Sequence, residues 1–166
     1  MDWITIMAIT IALSLIGFFS GIETAFISVS KLSIELKKKQ GSYTGKIWSA
    51  FMEKPSRFIG TTLVIFNILL VIYGLLWSDV LESVWKYWNI SNPYILLAAE
   101  TLIATFLLLF FEFLFKSFFR AKGNAIMSSG FITFTVKFFY SLFSWIARYF
   151  VNIAEWILRY LSLIHI

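Results

Sequence analysis

The chain contains no cysteine, and its only histidine among 166 residues is His165. The absence of cysteine excludes disulfide bonds, thiolate metal sites and cysteine nucleophiles. A single histidine next to the end of the chain argues against histidine-based catalysis or metal binding. The sequence also lacks GxSxG, HExxH and paired-aspartate motifs, so we predict no enzymatic activity.

Charged residues are scarce as well, at 14%, whereas 60% of the residues are hydrophobic and 20% are aromatic. A soluble domain is about 45–50% apolar, and one core of this size would not bury the excess. The net charge of +5 might have indicated nucleic acid, but the basic residues lie beside apolar stretches, as on a cytoplasmic membrane face. The composition therefore predicts one integral membrane domain that contacts the lipid bilayer and binds no nucleic acid.

Three apolar stretches are long enough to cross a bilayer, which takes about 20 helical residues. They cover residues 3–29, 58–77 and 94–119. The segment 30–57 holds seven Lys and Arg residues and predicts two short juxtamembrane helices separated near Gly41 and ended by Pro55. A charged loop between the second and third stretches holds only Lys86 as a basic residue. The N-terminus is therefore predicted to lie outside, with the basic segments and the C-terminal end in the cytoplasm.

The last segment, residues 131–160, has a different pattern. Its polar residues recur every three or four positions and form one narrow stripe on a helix. They are Lys137, Ser141, Ser144, Arg148, Asn152, Glu155 and Arg159. This pattern favours an amphipathic helix in the interface or around the bundle. The alternative is a fourth span whose stripe faces other helices. The predicted fold is all-α: three transmembrane helices, cytoplasmic juxtamembrane helices and a long C-terminal interfacial helix.

Ionisable side chains inside a span are costly and usually functional or paired, and the first predicted span holds only one, Glu23. Ser20 and Gly21 lie on the first span and Asn67 on the second. Oxygen atoms from hydroxyl, amide, carboxylate and carbonyl groups suit Mg²⁺. The Ser20–Gly21 pair can open a turn that frees carbonyl oxygens. The alternative is a notch of small residues for helix packing.

The third span carries three ionisable residues. Glu112 and Lys116 are four residues apart and share a helix face. They can therefore either contribute to an ion site or form an internal salt bridge in which Lys116 reaches the membrane boundary. Glu100 lies on another face, and we predict that it points to a helix contact.

Several segments resemble one known family. Residues 18–26, FFSGIETAF, resemble the FFSGxETA start of the transmembrane domain of the CNNM/CorC proteins, also called the DUF21 domain. Further similar segments follow in the same order. They are SVSKL at 28–32, KPSRF at 54–58, Asn67 with VIYG at 71–74, and EFLFK at 112–116, which is similar to the GEIxPK element. The resemblance covers residues 3–160 and is closest to a bacterial, Bacteroidetes-like branch, some members of which are linked to gliding motility.

The resemblance implies a homodimer of three-span subunits in the bacterial inner membrane, followed by cytoplasmic CBS-type domains. It also implies transport or efflux of Mg²⁺ coupled to Na⁺. Carried over by position, Ser20, Asn67 and Glu112 would supply oxygen ligands to a dehydrated Mg²⁺ ion.

The chain also departs from the family pattern. At four positions the chain has a bulky apolar side chain where the family pattern has, in order, an asparagine, a further asparagine, a small residue and a proline. They are Phe66, Leu70, Phe111 and Phe115. These replacements favour a second hypothesis, a membrane anchor or assembly module, for example in motility, that has lost the ion site. The retained Ser20, Asn67 and Glu112 favour transport.

The last six residues, 161–166, read LSLIHI. The codons CTG TCT CTT ATA CAC ATC encode them, and that string resembles a transposase adapter used in sequencing libraries. We therefore predict adapter read-through at the end of a fragment, with an apolar helix end as the alternative. Different codons in the nucleotide record would remove this hypothesis.

Overall fold

The computed structural model describes residues 3–88 and 92–164, and for residues 78, 79, 82–84, 86–88 and 159–164 it describes the backbone alone. Seven helices cover nearly all of these residues. They are α1 (Trp3–Ser28), α2 (Lys31–Lys39), α3 (Tyr43–Glu53), α4 (Pro55–Trp88), α5 (Pro93–Ala121), α6 (Gly123–Ser128) and α7 (Gly130–Ile164). The predicted all-α class is confirmed for this part of the chain.

Four of these helices are long and apolar enough to cross a membrane, so the predicted count of three spans is not matched. They are α1, α4 as far as Trp77, α5, and α7 as far as Leu158. The first three agree closely with the predicted stretches. The fourth is the segment that we predicted to be interfacial, and it qualifies by its length and composition.

Local chemistry sets two of the helix boundaries. Gly41 separates α2 from α3 with a positive φ of 79°, a backbone conformation that glycine adopts without steric cost. Pro55 begins α4, where its missing N–H costs nothing because first-turn N–H groups have no helical partner. The predicted pair of short helices between residues 30 and 57 is confirmed.

The predicted loop after Trp77 is wrong, because α4 continues as a helix to Trp88. The extension contains neither glycine nor proline, and Leu81 and Trp85, four apart, are both buried. The four-residue spacing of Leu81 and Trp85 places both on one face of the helix, so the turns of α4 beyond Trp77 have a buried apolar face. We predicted that residues 89–93 close the loop; of these, residues 89–91 lie outside the described residues. At the start of α5 the Asn92 Oδ1 atom accepts a hydrogen bond from the Tyr94 N–H at 3.0 Å and caps the helix.

Two compact units divide the chain. Unit 1 comprises Met1–Ile22 and Phe66–Phe119. Its core is a stripe of α1 residues three or four apart that packs against Tyr73 of α4. The α1 members are Ile9, Ala12, Leu13 and Ile16. The Tyr73 hydroxyl donates to the Ala104 carbonyl at 2.9 Å, and the Trp85 indole N–H donates to Glu100 Oε1 at 2.8 Å. The predicted helix contact of Glu100 is confirmed.

Unit 2 comprises Glu23–Ile65 and Arg120–Ile166. Trp48 of α3 lies at the centre of its aromatic cluster and is 0% exposed. The ring neighbours in the cluster are Phe26, Phe51, Phe58 and Tyr140. The Trp48 indole N–H also donates to Thr133 Oγ1 of α7 at 3.0 Å. Helix α3 is therefore fixed both by apolar contacts and by a buried hydrogen bond.

Within unit 2, α7 crosses the start of α4 at a steep angle. The Tyr140 ring centroid lies 6.3 Å from that of Phe58, and Val151 Cγ2 lies 2.9 Å from where a Cβ on Gly60 would be. Tyr140 and Val151 are eleven positions apart, which is about 16 Å along the axis of α7. Their partners, Phe58 and Gly60, are two positions apart, which is only about 3 Å along the axis of α4. Parallel or antiparallel neighbours would match in spacing, so the two axes are strongly inclined.

Candidate functional site

Two of the three predicted ion ligands are in direct contact inside unit 1. The Ser20 hydroxyl of α1 donates a hydrogen bond to Glu112 Oε1 of α5 at 3.1 Å. Ser20 is 4% exposed, and the Glu112 side chain is 13% exposed. Ser20 lies four residues after Ile16, on the same buried face of α1. The fold therefore brings together the Ser20 hydroxyl and the Glu112 carboxylate, which lie on helices far apart in sequence.

A cation of the chain itself shares the same carboxylate. The Lys116 Nζ atom lies 3.6 Å from Glu112 Oε1, one helical turn further along α5, and its side chain is half-exposed. The salt bridge, which was the alternative to an ion site, is present beside the contact to Ser20. The ammonium group compensates the charge of Glu112, so a metal ion that binds here must compete with Lys116.

The third predicted ligand, Asn67, lies on α4 of the same unit with an exposed side chain. Among the described residues, no three His, Cys, Asp or Glu side chains come together. A metal at Glu112 would therefore have at most two such ligands among the described residues and would otherwise depend on neutral oxygens. Ser20 already offers one such oxygen at hydrogen-bond distance.

The Ser20–Gly21 pair does not open a turn, because α1 is helical from Trp3 to Ser28. The packing notch, which was the alternative, is confirmed. A Cβ on Gly21 would lie 2.7 Å from Phe119 Cγ, and one on Gly17 would lie 2.5 Å from Phe115 Cδ2. Both glycines admit a phenyl ring of α5 against the α1 backbone. The Gly-x-x-x-Gly spacing at 17–21 is a known signal for close helix packing that our sequence analysis did not use.

All four residues that depart from the family pattern serve packing in unit 1. Phe66, Leu70 and Phe111 pack against the core around Ile16, and the Phe115 ring fills the notch at Gly17. Helix α5 is continuous through position 115, so no backbone carbonyl is released beside Glu112. At these four positions the chain uses bulky side chains that fill the core, whereas the family pattern has asparagines, a small residue and a proline.

Alanine at Gly21 is expected to destabilise the protein, although alanine in a helix interior normally stabilises by about 0.5–1 kcal/mol over glycine. The new Cβ would meet the Phe119 ring well inside van der Waals contact and push it out of its notch. Overpacking of this kind typically costs about 1–3 kcal/mol. Gly74→Ala is the matched control, because nothing lies within 4 Å of a Cβ there. Thermal unfolding in detergent would show a lower transition for Gly21→Ala only; equal behaviour of both variants would contradict the notch.

Comparison with known proteins gives one match. A family model described as the cyclin M transmembrane N-terminal domain matches residues 7–165, nearly the whole chain. Neither the comparison with curated proteins nor that with solved structures found a match.

Proposed function

Because the chain belongs to the cyclin M transmembrane domain family, we propose that it is the membrane domain of a Mg²⁺ transport or efflux protein coupled to Na⁺. We further propose that Ser20, Asn67 and Glu112 supply oxygen ligands to the transported ion. The observation that carries the proposal is the contact between Ser20 Oγ and Glu112 Oε1, two oxygens from different helices at low exposure.

The separation of these two oxygens suits Mg²⁺. In an octahedral site with metal–oxygen distances of about 2.0–2.1 Å, neighbouring ligand oxygens are about 2.9 Å apart. The Ser20 and Glu112 oxygens are 3.1 Å apart. The serine would turn its proton away and present a lone pair, the carboxylate would supply charge, and the Asn67 amide oxygen and water would complete the shell. Lys116 would withdraw toward the boundary, which its half-exposed, flexible side chain permits.

For the membrane topology we propose three spans, α1, α4 and α5, with α7 in the interface. The steep crossing of α7 over the start of α4 supports this arrangement, since a helix inclined to a span runs along the bilayer surface. Its polar stripe, exposed at Lys137, Arg148 and Glu155, supports it too. We propose that the seven basic residues between 30 and 57 face the cytoplasm of a bacterial inner membrane, which puts the N-terminus outside.

We also propose that two copies form the working unit. In the most apolar 18-residue stretch of α5, no residue is buried by the rest of the described chain. That leaves a broad face of α5 to lipid or to a second copy, and the homodimer implied by the sequence resemblance would cover part of it.

A second function, a membrane anchor or assembly module without transport, has its own support. Phe66, Leu70, Phe111 and Phe115 all act in packing, and the last of them leaves α5 unbroken beside Glu112. A chain that keeps only two or three oxygen ligands in a well-packed bundle would retain the fold and lose the ion.

The two functions differ in the response of the protein to Mg²⁺. A ligand at about 100 times its dissociation constant stabilises the state that binds it by about 2.7 kcal/mol. If the ion site works, we expect thermal unfolding in a neutral detergent to shift upward and saturate with MgCl₂, with no such shift at matched ionic strength in choline chloride. A transition unmoved by MgCl₂ would favour the anchor.

A further inference from the structure

A cavity of about 410 Å³ lies in unit 2, lined by residues 28–30 and 120–125. These segments are the end of α1 with its link to α2, and the end of α5 with the start of α6. Gly123 brings α6 close to α1, since a Cβ there would lie 2.9 Å from Val29 Cγ2. None of the cation ligands proposed above lines this cavity.

The cavity is positively charged, and nothing in its lining compensates that charge. Arg120 and Lys122 line it, and no acidic residue does. Among the described residues neither side chain has a hydrogen bond or an ion pair. Two lysines of α2, by contrast, do have partners, since Lys38 pairs with Glu53 and Lys37 donates to Ser128. Two cations that stay unpaired beside a shared cavity fit an anion.

Neutral groups of the lining complement an anion as well. Ser30 is the N-cap residue of α2, but its hydroxyl forms no bond to the helix and is available as a donor. The nine-residue α2 begins at the next residue, Lys31, and its first N–H groups have no side-chain cap. Arg120 adds a planar fork of donors that matches two oxygens of one phosphate.

We propose that this cavity binds a phosphate group, with Arg120 and Lys122 as its cationic ligands. The site lies where the apolar helices α1 and α5 end, at Ser28 and Ala121, and headgroup phosphates are found at that boundary. This position favours an anionic lipid as the carrier over inorganic phosphate. Basic pockets between helices on the cytoplasmic side of a membrane bind such headgroups.

The test measures thermal unfolding of the protein in a neutral maltoside detergent, titrated with phosphatidylglycerol, with phosphatidylcholine of the same chains, and with inorganic phosphate. We expect phosphatidylglycerol to raise the unfolding temperature in a saturable way and phosphatidylcholine to have a smaller effect. Arg120→Gln and Lys122→Gln should each weaken the apparent affinity about fivefold, and the double variant about 25-fold. Arg120→Lys keeps the charge and loses the planar fork of donors. Its apparent affinity for phosphatidylglycerol should lie between those of the wild type and Arg120→Gln.

The control is the double variant Lys39→Gln and Lys46→Gln, which removes the same charge from exposed positions outside the cavity. It should retain the wild-type response. If inorganic phosphate stabilises the wild type and not the Arg120/Lys122 variant, the site holds and its ligand is a free phosphate. The proposal is overturned if neither phosphate source stabilises the wild type. It is also overturned if the control loses as much affinity as the cavity variant, because the effect would then be one of general surface charge.

Discussion

Replacing Glu112 by glutamine is expected to remove most of the stabilisation by Mg²⁺ that the proposed ion site predicts. The amide keeps the size of the side chain and can still accept the Ser20 hydrogen bond, but it removes the only carboxylate of the proposed site. Mg²⁺ sheds its water reluctantly and needs anionic oxygen to do so. We expect the apparent affinity to fall at least about 100-fold, which would reduce a shift of about 2.7 kcal/mol to about 0.4 kcal/mol or less at the same MgCl₂ concentration.

The matched control for this variant is Glu100→Gln. Glu100 lies on the same helix and accepts a hydrogen bond from the Trp85 indole, which a glutamine oxygen can also accept. It should keep the full Mg²⁺ response. Without Mg²⁺, Glu112→Gln should change stability by less than about 1 kcal/mol, because its ion pair with the half-exposed Lys116 is weak. A Mg²⁺ shift that survives in Glu112→Gln, or that disappears in Glu100→Gln, would exclude Glu112 as the ligand.

Local signals in the sequence predicted much of the fold. The break at Gly41 and the start of α4 at Pro55 follow from the backbone properties of those two residues, and the salt bridge of Glu112 with Lys116 follows from their spacing. The end of α4 could not be predicted in the same way. Charges after Trp77 suggested that the apolar span stops there, but hydropathy reports burial in lipid and says little about where a helix ends.

Predicting the candidate site required information about contacts between residues far apart in the sequence. The Gly17–Gly21 spacing is a signal for close helix contact that was not used, and even with it Phe115 and Phe119 could not have been identified as partners, because the register between α1 and α5 is tertiary. Family resemblance, and not the physics of the residues, paired Ser20 with Glu112. The exposure of Asn67 on α4 could not be predicted either, because a single apolar stretch does not show which of its faces packs inward.

The second large effect is expected at Trp48, where alanine should destabilise unit 2. Trp48 is fully buried, contacts three phenyl rings and donates to Thr133. Replacing a buried Trp by Ala in a packed core costs about 3–5 kcal/mol. Trp48→Phe keeps a ring and loses the N–H donor. It should cost about 1 kcal/mol from that bond, plus packing, since Thr133 still donates to the Ser129 carbonyl.

Trp145→Ala separates this core effect from the general loss of a tryptophan. Trp145 lies on α7 with 65% of its surface exposed, so its removal should leave the unfolding transition nearly unchanged. Circular dichroism at a helix wavelength is the suitable readout, because it does not depend on the tryptophans that are replaced. The expected order of stability is wild type and Trp145→Ala together, then Trp48→Phe, then Trp48→Ala. Equal losses at positions 48 and 145 would mean that the aromatic cluster around Trp48 and its hydrogen bond to Thr133 do not hold α3 against α7.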